Sequence, residues 1–506
     1  MSLEKDTMKR CRIIYNQDCT NLFSIIKEPI KPGHIVSMID EIAEGGADLI
    51  LINPNAQKTN YRSKVWENFW ECNYQDMPHS FRQMKHLAEQ GYDYLKLTLD
   101  RCREKAVASG ISIRMNDMHG ALEPDTHIMN SSFYKQHPEY RLPGSAKDGW
   151  GRIGFNYEYK QVRSHYLRLI GEIVEDYNFD VLELDFLRFP NYFPPGDCER
   201  HCNIMTEFLK QVKTITERKK IDLYIRVASM PAAAYELGFD LKVLAEKNIV
   251  DGITFSEFLN TGWEMPVDRF RAIVGDDVAL YAGADVSADR RPGLPVRYMP
   301  YNELLLYGFA YAYLNSGADG IYFFNFFTLR EQGMDTGKLR FDAFKKIKSV
   351  RNLRGCPKTY LITSNAGPCA ETDLPHQIPV TVGPRQSKSF NMLAGKEPDS
   401  CRFLFRVIFT GDIFSEQLWL RCNLSSAGCT KLLNNVPAQH LSSELVNSKK
   451  VSGNKTLKQA HVAEFLIPNN AVYNGKNEFI LRNESVNEIT VHGIELYVLT
   501  PNRGGK

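Results

Sequence analysis

Long apolar runs are missing from this chain. Nowhere do about 18 consecutive apolar residues occur, so no membrane-spanning helix is expected. The opening MSLEKDTMKR lacks the apolar core of a secretory signal. The chain therefore reads as soluble, and as periplasmic or secreted if an export signal has been removed from its start. An excess of one charge sign is missing too. Lys and Arg number 62 against 60 Asp and Glu, a net charge of +2. No basic run stands out, which leaves a nucleic acid or an anionic membrane without an electrostatic footprint. Cysteines number eleven, an odd count at scattered positions, which favours reduced, buried thiols over a disulfide framework. Cys198 and Cys202 flank His201 one helical turn apart, but no second ligand pair follows, so no metal site is expected. Also absent are a G-x-G-x-x-G turn after a strand, a P-loop lysine, a G-x-S-x-G elbow and an H-E-x-x-H helix. No cofactor is expected, and there is no internal repeat or low-complexity tract.

What the chain does contain is a regular alternation. At 506 residues it exceeds one ordinary core, so two domains, or a large barrel with an added module, are expected. Eight short apolar runs recur: CRIIYN (11–16), ADLILINPN (47–55), ISIRMND (111–117), FDVLELDFLR (179–188), DLYIRVAS (222–229), VDGITFSEF (250–258), VALYAGADV (278–286) and ADGIYFFNFF (318–327). Segments able to form helices follow them. In one, Ile204, Phe208, Val212 and Ile215 mark a single apolar face. Eight strand–helix units in series predict a parallel sheet closing into a (β/α)8 barrel over residues 11–353. The stretch 56–110 must hold one long or two shorter helices, and Trp66 and Trp70 within it sit one helical turn apart, as a core face or a sugar platform. Beyond RGCPKTYL the helical period fades. Alternating strands such as SCRFLFRVIFTG and ITVHGIELYVLT predict an all-β sandwich over residues 354–506.

In a barrel of this kind the C-terminal ends of the strands face one pocket. The second run ends in Asn53 and Asn55. The third ends in Asn116 and Asp117, with His119 just beyond. Glu183, Asp185 and Arg188 lie on the fourth, Arg226 on the fifth, and Glu257, Asp285 and Asn325 end the sixth, seventh and eighth. Glu183 and Asp185 share one face of their strand, with Asp185 nearer the rim. A charge in an apolar strand needs a partner or a task. Arg188 is expected to hold Asp185 ionised, as nucleophile or stabiliser of a developing cation. Cleavage of a glycosidic bond needs a second, protonated carboxyl, and Glu257, between Phe255 and Phe258, is the candidate, with Asp285 and Asp117 in reserve. Blander readings stand beside these: a Glu183–Arg188 ion pair that only packs the barrel, Asp285 as a turn cap, the asparagines as turn formers, and His119 and His127 as surface residues.

The run FNYEYKQVRSHYLRLIGEIVEDYNFDVLELDFLRFP resembles bacterial glycosylhydrolase-like (β/α)8 proteins, the family-ten-like group. Asn156, Val162, Arg163, Tyr177, Asp180, Glu183, Leu184, Asp185, Arg188 and Pro190 carry the likeness, and Val181 departs from the glycine usual there. The resemblance covers roughly residues 11–350 and implies carbohydrate hydrolysis with a catalytic carboxylate at Asp185. The ending GKNEFILRNESVNEITVHGIELYVLTP is similar to jelly-roll domains that accompany glycosidases. The expectation is thus a glycoside hydrolase acting on an oligo- or polysaccharide. Asp185 and Glu257 would be catalytic, and Asn53, Asn55, Asn116, Asp117, His119, Glu183, Arg188, Arg226, Asp285 and Asn325 would bind substrate. The alternatives are a carbohydrate-binding barrel without catalysis and a lyase or epimerase with His119 as base. Oligomeric state is left open.

Overall fold

A computed structural model describes residues 11–18, 20–72, 77–120, 122–144, 153–258, 260–285, 303–324, 326, 341, 343–362, 377–413, 417–423, 461–467 and 469–501. Asn325 lies outside the described residues. Eight parallel strands form a closed barrel in chain order. They are β1 (Ile13–Gln17), β2 (Leu49–Ile52), β3 (Ala108–Arg114), β4 (Val181–Asp185), β5 (Asp222–Ala228), β6 (Gly252–Ser256), β7 (Ala279–Ala284) and β8 (Gly320–Phe323). Closure is made by β8 against β1, with Ile13 opposite Ile321 and Tyr15 opposite Phe323.

The apolar runs look continuous because both faces of each strand are covered. One alternation set fills the barrel: Ile14, Leu49, Leu51, Val181, Tyr224, Ala279, Tyr281 and Tyr322 form a separate inner core. The other set, including Ile13, Ile50, Leu182, Leu184, Ile225, Ile253, Leu280 and Ile321, packs beneath the helices. Fully burying one such side chain stabilises the fold by roughly 1.5–3 kcal/mol. β3 begins at Ala108, three residues before the apolar pattern announces it. Its first residues are small for a reason: a Cβ on Gly110 would stand 2.6 Å from the Leu51 side chain and 2.5 Å from the Val181 carbonyl oxygen.

Between β2 and β3 run two helices, His79–Glu89 and Tyr94–Glu104. Trp66 and Trp70 precede them on irregular backbone, so their spacing does not mark a helix. The Trp66 indole stacks on the His165 ring at 4.3 Å and donates to the His165 carbonyl at 3.0 Å. That is core packing rather than an exposed platform.

The C-terminal part holds two antiparallel sheets. One contains β9 (Lys358–Ile362), β10 (Val380–Val382), β12 (Arg402–Thr410), β14 (His461–Ile467) and β16 (Ile489–Leu499), with β16 pairing β9, β10 and β12. The other is β11 (Ser387–Ala394), β15 (Gly475–Asn483) and β13 (Leu418–Cys422). Three of these, β9, β10 and β11, are not evident as strands in the sequence, since β9 and β10 have only five and three residues and β11 opens on the polar Ser387, Lys388 and Ser389.

Barrel and sandwich meet across the helix Glu303–Asn315. A Cβ on its Gly308 would come within 2.0 Å of the Thr359 carbonyl oxygen on β9, so only glycine allows this approach. Nearby, Lys358 and Glu397 form a fully buried ion pair at 2.6 Å. Glu397 also accepts from the Gly355 N–H at 2.6 Å, and the Lys358 ammonium lies 4.6 Å from the Tyr311 ring of that helix. No helix among the described residues is long and apolar enough to cross a membrane.

Candidate active site at the barrel rim

Two layers of polar side chains sit above the inner core. In the lower one Glu183 is fully buried. Its Oε1 accepts from the Ser112 hydroxyl at 2.7 Å, the Tyr322 hydroxyl at 2.8 Å and the Asn16 amide at 3.2 Å. Burial, followed by the neighbouring Asp185 charge, pushes the Glu183 carboxyl up to about 7. No arginine ion-pairs with it among the described residues, so the Glu183–Arg188 pair does not form.

Asp185 stands one layer higher, at the end of β4. Its Oδ1 accepts from the backbone N–H groups of Leu187 and Arg188 at 3.0 and 3.1 Å. The Arg226 guanidinium reaches Oδ2 at 3.1 Å from β5. The ion-pair partner of Asp185 is therefore Arg226, and Arg188 touches it through its backbone N–H. Neighbouring parallel strands put Asp185 opposite Arg226 in the β4–β5 register, which sequence spacing cannot reveal. The Arg226 guanidinium stacks over Phe324 at 3.9 Å. Burial works against its charge, but Asp185 and then Tyr322, Asp285 and Glu183 outweigh that and raise its pKa, which puts Asp285 in the same electrostatic set.

A second group lies at the ends of β1 and β3. Arg114 bridges Asp18 and Asp117, the latter at 3.1 Å. Burial disfavours both carboxylates. Arg114, the hydrogen bonds from Thr20 and the Arg188 charge together outweigh it at Asp18 and bring that group to about 2, while His119, with Arg114 and Arg188 behind it, holds Asp117 well below the usual range. His119 Nδ1 lies 2.5 Å from Asp117 Oδ1 and its Nε2 3.0 Å from Arg188 Nη2, which fits a ring that donates to the carboxylate and accepts from the guanidinium. The His119 side chain is 32 % exposed, against 11 % for Asp18 and 1 % for Asp117. Phe189, next to Arg188, is held at φ 61°, an uncommon conformation for a bulky residue and one that collects at functional loops.

The remaining candidates are placed differently. Asn53 and Asn55 donate to the carbonyls of Ser112 and Arg114 at 2.7 and 3.0 Å, tying β2 to β3. Asn116 donates to Asn191 O at 2.6 Å and accepts from the Phe155 N–H at 2.8 Å, fixing the long loop after β3. Glu257 is buried at the end of β6. Its Oε2 accepts from the Asn260 amide at 3.1 Å, and a Cβ on Gly262 would stand 2.6 Å from its Oε1, so the following turn wraps the carboxyl closely. Asp285 is buried at the end of β7, where Thr261 exchanges hydrogen bonds with its backbone N–H and carbonyl at 3.0 and 2.8 Å.

Asp18 and Arg114 escape the sequence reading. A signal was available, because Arg114 is a charge within the apolar run ISIRM, the same anomaly that exposes Asp185. The Cys198–His201–Cys202 cluster is structural: His201 stacks on Phe193 at 4.4 Å and faces Glu158 at 3.3 Å. No group of three or more His, Cys, Asp or Glu suited to a metal ion occurs among the described residues.

No family model matches this chain, and no curated protein matches it. Solved structures do. The chain is similar to the PgaB (BpsB) glycoside hydrolase domain from Bordetella bronchiseptica, at 9 % identity over 67 % of this chain and 99 % of that one, with a TM-score of 0.43. It is also similar to a Group IV chitinase of Ostrinia furnacalis in complex with allosamidin, at 12 % identity over 67 % and 98 %, TM-score 0.38. An α-amylase from Geobacillus thermoleovorans complexed with acarbose shares 12 % identity over 94 % and 99 %, TM-score 0.40. All three act within glycoside chemistry by their names. The barrel assignment itself stands on the closed strand ladder of this chain.

Proposed function

We propose that this protein is a glycoside hydrolase whose reaction takes place at the C-terminal rim of the barrel. Asp185 is the carboxylate that attacks or stabilises the anomeric centre, and Glu257 is the general acid. The observation that supports this most directly is the setting of Asp185: a carboxyl at a barrel strand end, oriented by two backbone N–H groups and the Arg226 guanidinium. Asp185 is 1 % exposed, so the reading requires the rim to open for substrate, next to His119 where the described site reaches solvent. A panel of aryl glycosides and natural oligosaccharides tests it on the full chain. Asp185→Asn should lower turnover by about a hundredfold or more. Glu257→Gln should cost less on activated aryl substrates, which need little protonation, than on natural linkages. Undiminished turnover by Asp185→Asn would remove Asp185 from the chemistry, and saccharide binding without turnover would leave a binding barrel.

One observation favours a second reading. His119 is the most exposed ionisable group of the set, and as a base its Nε2 would exchange the Arg188 hydrogen bond for the substrate's proton. An acid–base reaction such as elimination or epimerisation with His119 as base would then be abolished by His119→Asn, while hydrolysis would survive that change.

A further inference from the structure

Arg188 is 8 % exposed and yet forms no ion pair among the described residues. Among the described residues its only hydrogen-bond partner through the side chain is the His119 ring nitrogen at 3.0 Å, and its Nε and Nη1 are buried without a partner there. The surrounding carboxylates are already engaged. Asp18 and Asp117 hold Arg114, Asp117 also holds His119, and Asp185 holds Arg226. Burial and the nearby Arg114 act against the Arg188 charge, while Asp117, Asp18 and Asp185 favour it from beyond ion-pair distance. A guanidinium kept dry, with no carboxylate in ion-pair contact and two unused donors, is costly unless an acceptor completes it, and a carboxylate does so best. It is not deprotonated in compensation, because arginine stays charged in proteins. Its position fits a ligand: Phe189 and Phe324 lie 5.5 and 5.7 Å from the guanidinium, apolar faces that would shield a bound anion from water. The exposed His119 beside it marks the way in.

We propose that Arg188 is a specificity residue for an anionic saccharide, binding the carboxylate of a uronic-acid-type sugar unit at the barrel rim. The inference rests on the reading of that rim as a glycoside site and adds the charge of the sugar. A carboxylate satisfies a guanidinium by charge and by planar shape, which a neutral hydroxymethyl group does not.

Calorimetric titration of the full chain carrying Asp185→Asn tests this, with sodium D-glucuronate and D-galacturonate against D-glucose, D-galactose and sodium sulfate. One of the uronates should bind at least about tenfold more tightly than its neutral counterpart, the usual worth of a charge-assisted hydrogen bond. Arg188→Met should bring that preference below about twofold, and Arg188→Lys should keep part of it. The lysine variant keeps the test decisive if the methionine variant fails to fold. Equal binding of neutral and acidic sugars overturns the proposal. So does sulfate binding without uronate binding, or a preference that survives Arg188→Met. The hydrolase reading is judged separately by turnover. Rapid cleavage of neutral glycosides with no acidic preference sinks the Arg188 role alone, and uronate binding without any turnover sinks hydrolysis alone.

Discussion

Glu183 shows how much a single buried carboxyl can determine. Three donors converge on one of its oxygens, and burial raises its pKa from the model-compound value of 4.5 to about 7. In the unfolded chain it releases its proton at lower pH than in the fold. Between pH of about 4.5 and 7 the folded state therefore binds more protons, and stability falls as pH rises through that window. Full ionisation costs roughly 3 kcal/mol by this linkage. Glu183→Gln, which keeps an acceptor oxygen for the three donors, should flatten the dependence and raise the melting temperature at pH 8 but not at pH 4, as measured by calorimetry across that range. A slope unchanged in the variant would assign the titration to another group. Arg114 offers the complementary case. Arg114→Met leaves Asp18 and Asp117 buried without the guanidinium they share, and a loss of about 3–5 kcal/mol in denaturant unfolding is expected.

At the level of elements, the strands were legible and the irregular segments were not. The eight apolar runs coincide with the eight barrel strands because burial on both faces leaves little room for polar residues. β3 was misjudged at its start, since Ala108, Ser109 and Gly110 pack closely through small size rather than hydrophobicity. The Trp66–Trp70 segment suggested a helix because its spacing matched one, whereas tertiary contacts with His165 hold it in an irregular path. The helix Glu303–Asn315 depends on an element far along the chain. Its apolar residues cover most of its circumference, as suits a helix packed between β8 and β9. Gly308→Val should force this helix away from the Thr359 carbonyl and cost about 2–4 kcal/mol, read from urea unfolding with the barrel's circular dichroism retained at low denaturant. An unaffected midpoint would mean that the approach relaxes freely.

For the whole molecule, the junction decides whether barrel and sandwich behave as one. Lys358 and Glu397 are both fully buried, so the pair is worth little against an apolar replacement but much if half of it is removed. Lys358→Met strands Glu397, and a loss of about 3–5 kcal/mol is expected, with one thermal transition expected for the parent chain and two for the variant as the sandwich separates first. One transition at an unchanged temperature would contradict that coupling. The candidate site was legible in part on the same grounds. Asp185 announced itself, because a carboxylate in an apolar strand is anomalous wherever the strand lies. Its partner could not be read, since Arg188 is only three residues away and Arg226 comes directly opposite only once the β4–β5 register is formed.

The amino-acid pattern alone determined an eight-fold alternation of apolar strands and helices followed by β-rich sequence, because periodicity and burial are local properties of the chain. Only the tertiary structure decided which charges meet: Asp185 with Arg226, Arg114 with Asp18 and Asp117, and Arg188 with no carboxylate among the described residues. Charge pairing acts over a few ångströms between strand ends that lie far apart in sequence, and closure of the barrel is what brings them within that range.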